Sequence, residues 1–129
     1  MNQEEFVYCA QFSHSFEDTV VLVLKAVEKK GWAIFQVYDI QERLSAKGFD
    51  VGKVRIIEIC SAKYAGKMLS VNKLISLCIP CKINVIEENG KVMILTMKPS
   101  VMGSFFEDIE PVDFIDIESD LKEMVELSK

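Results

Sequence analysis

The stretch Cys81-Lys82-Ile83-Asn84-Val85-Ile86-Glu87-Glu88-Asn89-Gly90-Lys91-Val92-Met93-Ile94-Leu95-Thr96-Met97-Lys98 decides how the chain folds. Asn89-Gly90 tolerates the positive φ angles of a two-residue type I′ turn, and aliphatic residues crowd both flanks, so the segment predicts a β-hairpin. The turn sets the register: Glu88 opposes Lys91, Glu87 opposes Val92, and so on down to Cys81 and Lys98. One face then collects Cys81, Ile83, Val85, Val92, Ile94 and Thr96, a set apolar enough to belong in the core. The other face carries Met93, Leu95 and Met97, which would pack under a helix or meet a second subunit, since flexible Met suits adaptable contacts.

The elements upstream are well punctuated. Phe6 to Phe12 alternates weakly and reads as a strand. Ser15 with Asp18 opens a helix in the manner of a capping box. Phe16, Val20, Val23, Leu24 and Val27 form its apolar stripe, and Gly31 stops it. Trp32 to Tyr38 is rich in aromatic and β-branched residues, which suits a strand, and Asp39 with Glu42 opens a short helix ending at Lys47-Gly48. Val54 to Cys60 is a further strand. Ser61 can cap a helix in which Ala65, Met68 and Leu69 share a face. Residues 71–79 read equally as a last helical turn or an apolar loop. Pro99 to Pro111 reads as irregular connection, and a final helix runs near Ile117 to Ser128. The order β-α-β-(short α)-β-α-β-β-α predicts an α+β fold with a single mixed, mostly antiparallel sheet and helices mainly on one face.

Composition bounds the function. The chain has 129 residues, half of them apolar, and a net charge of −5. That suits one domain, residues 1–129, with one real core, and it excludes a disordered chain. The acidic balance argues against a nucleic-acid partner. The charge is uneven: −3 over residues 1–40, +5 over 41–104 and −7 over 105–129. An acidic C-terminal segment packing near a basic middle explains this, as does a basic middle facing an anionic ligand. The acidic start and the absence of a long apolar run predict a cytoplasmic protein with no membrane partner. The six glycines are isolated, so no phosphate-binding loop is present.

In a reducing compartment the four cysteines are not a disulfide framework. Cys78-Ile79-Pro80-Cys81 is the one motif with evident chemical potential, because two thiols at this spacing can share a ring or a metal, and their mutual influence can lower the pKa of one of them. A thioredoxin-like site would open a helix at this point, whereas here a strand follows. Lys82 could supply a positive field, although on the opposite face of that strand. Cys60 ends a separate strand and could meet Cys81. Three uses stay open: buried small hydrophobes, a thiol or sulfur-handling site, and a metal site built from Cys60, Cys78 and Cys81. The lone His14 sits in a helix-cap region, and Trp32, Phe35 and Tyr38 read as core.

Ser15-Phe16-Glu17, Lys30-Gly31-Trp32, Asp39-Ile40, Lys47-Gly48, Cys60, Ala65, Ile79-Pro80-Cys81-Lys82, Val85, Glu87 and Lys98-Pro99 form an ordered series. In it the chain resembles the family catalogued as domain of unknown function 302, from about Glu5 to Leu127. The resemblance implies a small cytosolic α/β domain of the β-α-β-β-β-α type, dimeric, with no established activity. It also implies that Cys60 and Pro80-Cys81 are the inherited positions. Ser61-Ala62 replaces the family's Asn-Pro, and Cys78 stands where the family has an aliphatic residue.

The expectation is therefore a homodimeric, thiol-dependent module that binds or carries a small anionic or sulfur-containing species. Cys81 would be the nucleophile, Cys60 or Cys78 the resolving partner, and Lys82 a ligand contact. The sequence names no cofactor. The alternative is a non-catalytic ligand- or partner-binding domain with structural cysteines, and the third reading is a metal-binding module.

Overall fold

The hairpin forms in the expected register. In the computed structural model, which describes residues 2–129, β4 (Cys81–Glu88) and β5 (Lys91–Met97) pair with Glu88 opposite Lys91 and Ile83 opposite Thr96. Asn89 and Gly90 take φ angles of 54° and 74°, as a type I′ turn demands. Ile83, Val85 and Ile94 are wholly buried, and Val92 and Thr96 nearly so. Cys81, at the end of that face, is half-buried.

β3 (Val54–Cys60) adds to β4, β2 (Ala33–Asp39) adds to β3, and β1 (Val7–Phe12) adds to the free side of β5. The sheet order is β1-β5-β4-β3-β2, and every pairing is antiparallel. The mixed character expected from crossover units is absent from the ladder for a topological reason. β1 and β2 do run in the same direction, but they lie at opposite edges and exchange no hydrogen bonds.

The α2 helix (Phe16–Lys29) begins as its capping pattern predicts, with the Ser15 hydroxyl accepting from the Asp18 N–H at 3.2 Å. It buries Phe16, Val20, Val23, Ala26 and Val27 against the sheet, and Gly31 at φ 84° lets the chain turn away. The α5 helix (Pro111–Leu127) packs beside it through Phe114, Ile117, Leu121, Met124 and Val125. It starts well before the expected Ile117. Pro111 sits in the first turn, where its missing N–H costs nothing, and Glu110 supplies no capping side chain. A short helix, α1 (Gln3–Phe6), precedes β1 and was not anticipated. Asp39 caps α3 (Ile40–Ser45), accepting from the Glu42 N–H at 3.0 Å, whereas Ser61 precedes α4 (Ala62–Val71) without a side-chain cap bond.

Two connections take 3₁₀ form: Lys73–Leu77 within the ambiguous stretch, and Pro99–Phe105 within the segment expected to be irregular. The acidic last helix meets cations from both earlier parts of the chain. Lys67 pairs with Asp113 at 3.1 Å, and Lys30 pairs with Asp120 and Glu123. Both long helices lie on the core face, so the outer sheet face keeps Met93 and Leu95 half-buried and Met97 exposed.

Candidate functional site: an apolar cleft at the cysteine end of the sheet

A cleft of about 840 Å³ opens where β4 begins and β5 ends. Lys82, Asn84, Leu95 and Met97 line it from the outer sheet face. The two 3₁₀ segments form its rims, presenting Leu77 and Phe105, which are 85% and 78% exposed. At the inner end are Thr96, Met102 and Leu121, all core residues, so the cleft turns round the end of the sheet towards the interior. Leu77, Phe105 and Met102 were not singled out from sequence, because they fall in the segments with no clear periodicity.

The structure brings three of the four cysteines to this end of the molecule. Cys78 lines the cleft. Cys60 lines a neighbouring crevice of about 10 Å³ with Trp32, Tyr64 and Ile79, room for a single water. Cys81 borders both spaces. Cys9 stands apart on β1, opposite Leu95 and with its Sγ 3.9 Å from Met93 Sδ. All four are free thiols.

Electrostatics run against a thiolate. Burial pushes the Cys81 thiol up to about 12, with the neighbouring Cys60 and Cys78 adding to the shift. Burial also raises Cys9, Cys60 and Cys78. The positive field expected from the basic middle of the chain is outweighed, because Lys82 is exposed on the other face of its strand while the Cys81 thiol is withdrawn from water. Among the described residues no group of three or more Cys, His, Asp or Glu is placed to hold a metal.

Lys82, Asn84 and Glu58 are the polar features of the sheet wall. Lys82 lies directly across from Glu58 on β3, yet among the described residues it forms no ion pair. The Tyr38 hydroxyl donates to Glu58 Oε1 at 3.3 Å instead. Asn84 Oδ1 is buried with no hydrogen-bond partner. A polar residue amid the aliphatic alternation of β4 was the signal available for it. The Thr96 hydroxyl donates to the Lys82 carbonyl at 2.8 Å and ties the two strands together beside the cleft.

The other residues weighed from sequence have structural places. His14 is exposed in the turn before α2. Trp32 is buried and donates through Nε1 to Asp120 at 3.2 Å. Phe35 departs from the core expectation: it is 56% exposed, at a register shift in the β2–β3 ladder between Ile34 and Gln36. The register shift leaves Phe35 without a partner on β3, beside an Ile34 that faces the core.

Fold and site together define an antiparallel α+β domain with an apolar, cysteine-bordered cleft at one end of its sheet. The chain belongs to the family described as Domain of unknown function DUF302, whose model matches residues 8–127. It is similar to the crystal structure of an uncharacterized conserved DUF302 protein from Bacillus stearothermophilus, at 25% identity and a TM-score of 0.88, covering 96% of this chain and 98% of that one. No curated protein matches the chain.

Proposed function

We propose that this protein is a non-catalytic binding module for a small, mainly apolar molecule held in the cleft. The observation that carries this reading is the cleft itself. Its volume of about 840 Å³ falls within the range of roughly 300–1,000 Å³ for small-molecule sites, and an apolar lining with a few polar groups is the usual make-up of such sites. Cys78 and Cys81 then serve as soft lining, and Cys60 packs behind them. The raised thiol pKa values support this over a nucleophilic Cys81 with Cys60 or Cys78 resolving.

The test uses the neutral fluorophore 1-aminoanthracene. The expected result is saturable binding at one site per chain, weakened at least tenfold by the double change Leu77→Asp and Phe105→Asp. Both side chains are exposed, so the fold should survive. Absence of saturable binding, or indifference to the double change, refutes the reading.

The half-buried Met93 and Leu95 and the exposed Met97 on the outer face support a second element of the proposal, a homodimer whose interface borders the cleft that Leu95 and Met97 line. Light scattering at micromolar concentration tests it, and a purely monomeric 14.7 kDa species removes it. Among the described residues no helix is long and apolar enough to cross a membrane.

A further inference from the structure

The geometry points to a medium-chain alkyl carboxylate as the class of molecule this cleft takes, an inference that rests on the binding reading above. The cleft has two chemically different parts. Its inner end, at Met102 and Leu121, and its rims, at Leu77 and Phe105, are mainly apolar. The Thr96 hydroxyl at the inner end is already spent on the Lys82 carbonyl, and Ser76 is the one polar side chain of the rims. Polar groups concentrate on the sheet wall, where Lys82 and Asn84 stand two positions apart on one strand and so on one face.

Lys82 supplies the charge selection. In an antiparallel sheet, oppositely charged residues directly across from one another normally pair. Here Glu58 is across from Lys82 but is engaged by the Tyr38 hydroxyl on the β2 side, away from β4. The ammonium is left without a carboxylate partner at the cleft wall. An anionic head beside it gains a charge-assisted hydrogen bond. The Asn84 carboxamide can donate a second hydrogen bond through Nδ2 to a head group seated there, whereas its unpartnered Oδ1 is an acceptor and gives nothing to a carboxylate. The tail then runs between the rims towards Met102 and Leu121. Glu58 also lines the cleft, so its negative charge opposes the same head and tempers the selection.

Displacement of bound 1-aminoanthracene by decanoate, by decanol and by the decyltrimethylammonium ion, all below their aggregation concentrations, tests this. Decanoate should bind at least about tenfold more tightly than decanol, a difference of about 1.4 kcal/mol, and the cationic amphiphile most weakly. Lys82→Met should abolish the decanoate advantage and leave decanol unchanged. Glu58→Gln should strengthen decanoate alone. From hexanoate to decanoate each methylene should tighten binding about fourfold. Equal binding of decanoate and decanol, or a preference that survives Lys82→Met, overturns the head-group assignment while leaving the apolar cleft standing. A flat chain-length series overturns the placement of the tail. Failure of both decanol and decanoate to displace a probe whose binding depends on Leu77 and Phe105 overturns the carboxylate inference alone, whereas a probe that does not bind overturns the cleft reading beneath it.

Discussion

Alkylation of Cys81 separates a lining thiol from a nucleophilic one. Burial raises its pKa from an ordinary 9.0 to about 12. At pH 8 an unperturbed thiol is about one-tenth ionised, whereas Cys81 is about one ten-thousandth ionised, a ratio of about a thousand or about 4 kcal/mol. Since the thiolate is the species that reacts, iodoacetamide should label native Cys81 about a thousandfold more slowly than the same residue in denaturant. Transient opening sets a floor on that protection. The assay is a timed iodoacetamide pulse at pH 8, acid quench and peptide mass spectrometry, with the unfolded chain as reference. Cys9, exposed on the outer face, should react first and Cys81 last. Labelling of Cys81 within tenfold of its unfolded rate, while circular dichroism reports a folded chain, would refute the desolvation argument. It would return the nucleophilic reading to first place.

The same shift makes stability depend on pH in a defined direction. The folded pKa of Cys81 lies above the unfolded one, so its contribution is complete below about pH 9 and lost as pH rises towards 12. The loss should reach about 4 kcal/mol, and Cys81→Ala should flatten that alkaline limb of a urea-denaturation series; an unchanged limb contradicts the assignment. Asn84→Leu removes a buried acceptor with no partner and should raise stability by about 1–2 kcal/mol, read as a Tm gain of about 4 °C per kcal/mol. A lower Tm would mean that Oδ1 is satisfied after all. Gly90→Ala forces an L side chain into φ 74°, with no steric neighbour within 4 Å. It should cost about 1 kcal/mol through backbone conformation alone, and an unaltered urea midpoint would discount the turn argument.

The hairpin was legible because Asn89-Gly90 is a local signal whose conformation forces the pairing of everything beside it. The α2 and α3 starts were legible for a similar reason: Ser15 and Asp39 bond to amides three residues on, so cause and effect lie within one turn. α5 was misplaced at its start because Glu110 has no capping bond and Asp113 is drawn off to Lys67. The convergence of Cys60, Cys78 and Cys81 could be suspected from strand ends, but their ionisation could not. Desolvation belongs to the packed structure rather than to local charge, and the net +5 of residues 41–104 pointed the wrong way. The cleft was the least visible feature. Its rims are 3₁₀ segments without a repeating pattern, and although Asn84 interrupts the aliphatic alternation of β4, the missing partner of its Oδ1 is visible only in the packed structure.

The placement of β1 and β2 at opposite edges has a bearing on the order in which the molecule assembles. β2, β3, β4 and β5 follow one another in space as they do along the chain, so each can dock on its predecessor soon after synthesis. β1 cannot. Val7 finds its partner only at Met97, and closing so long a loop is slow. The first strand made is therefore the last to be paired, and until then the β5 edge it covers is bare. The Phe6 carbonyl, which accepts from the Lys98 N–H at 2.6 Å, belongs to the same late closure. Phe6 and Val7 also line the cleft, so the site is completed only when β1 has reached β5.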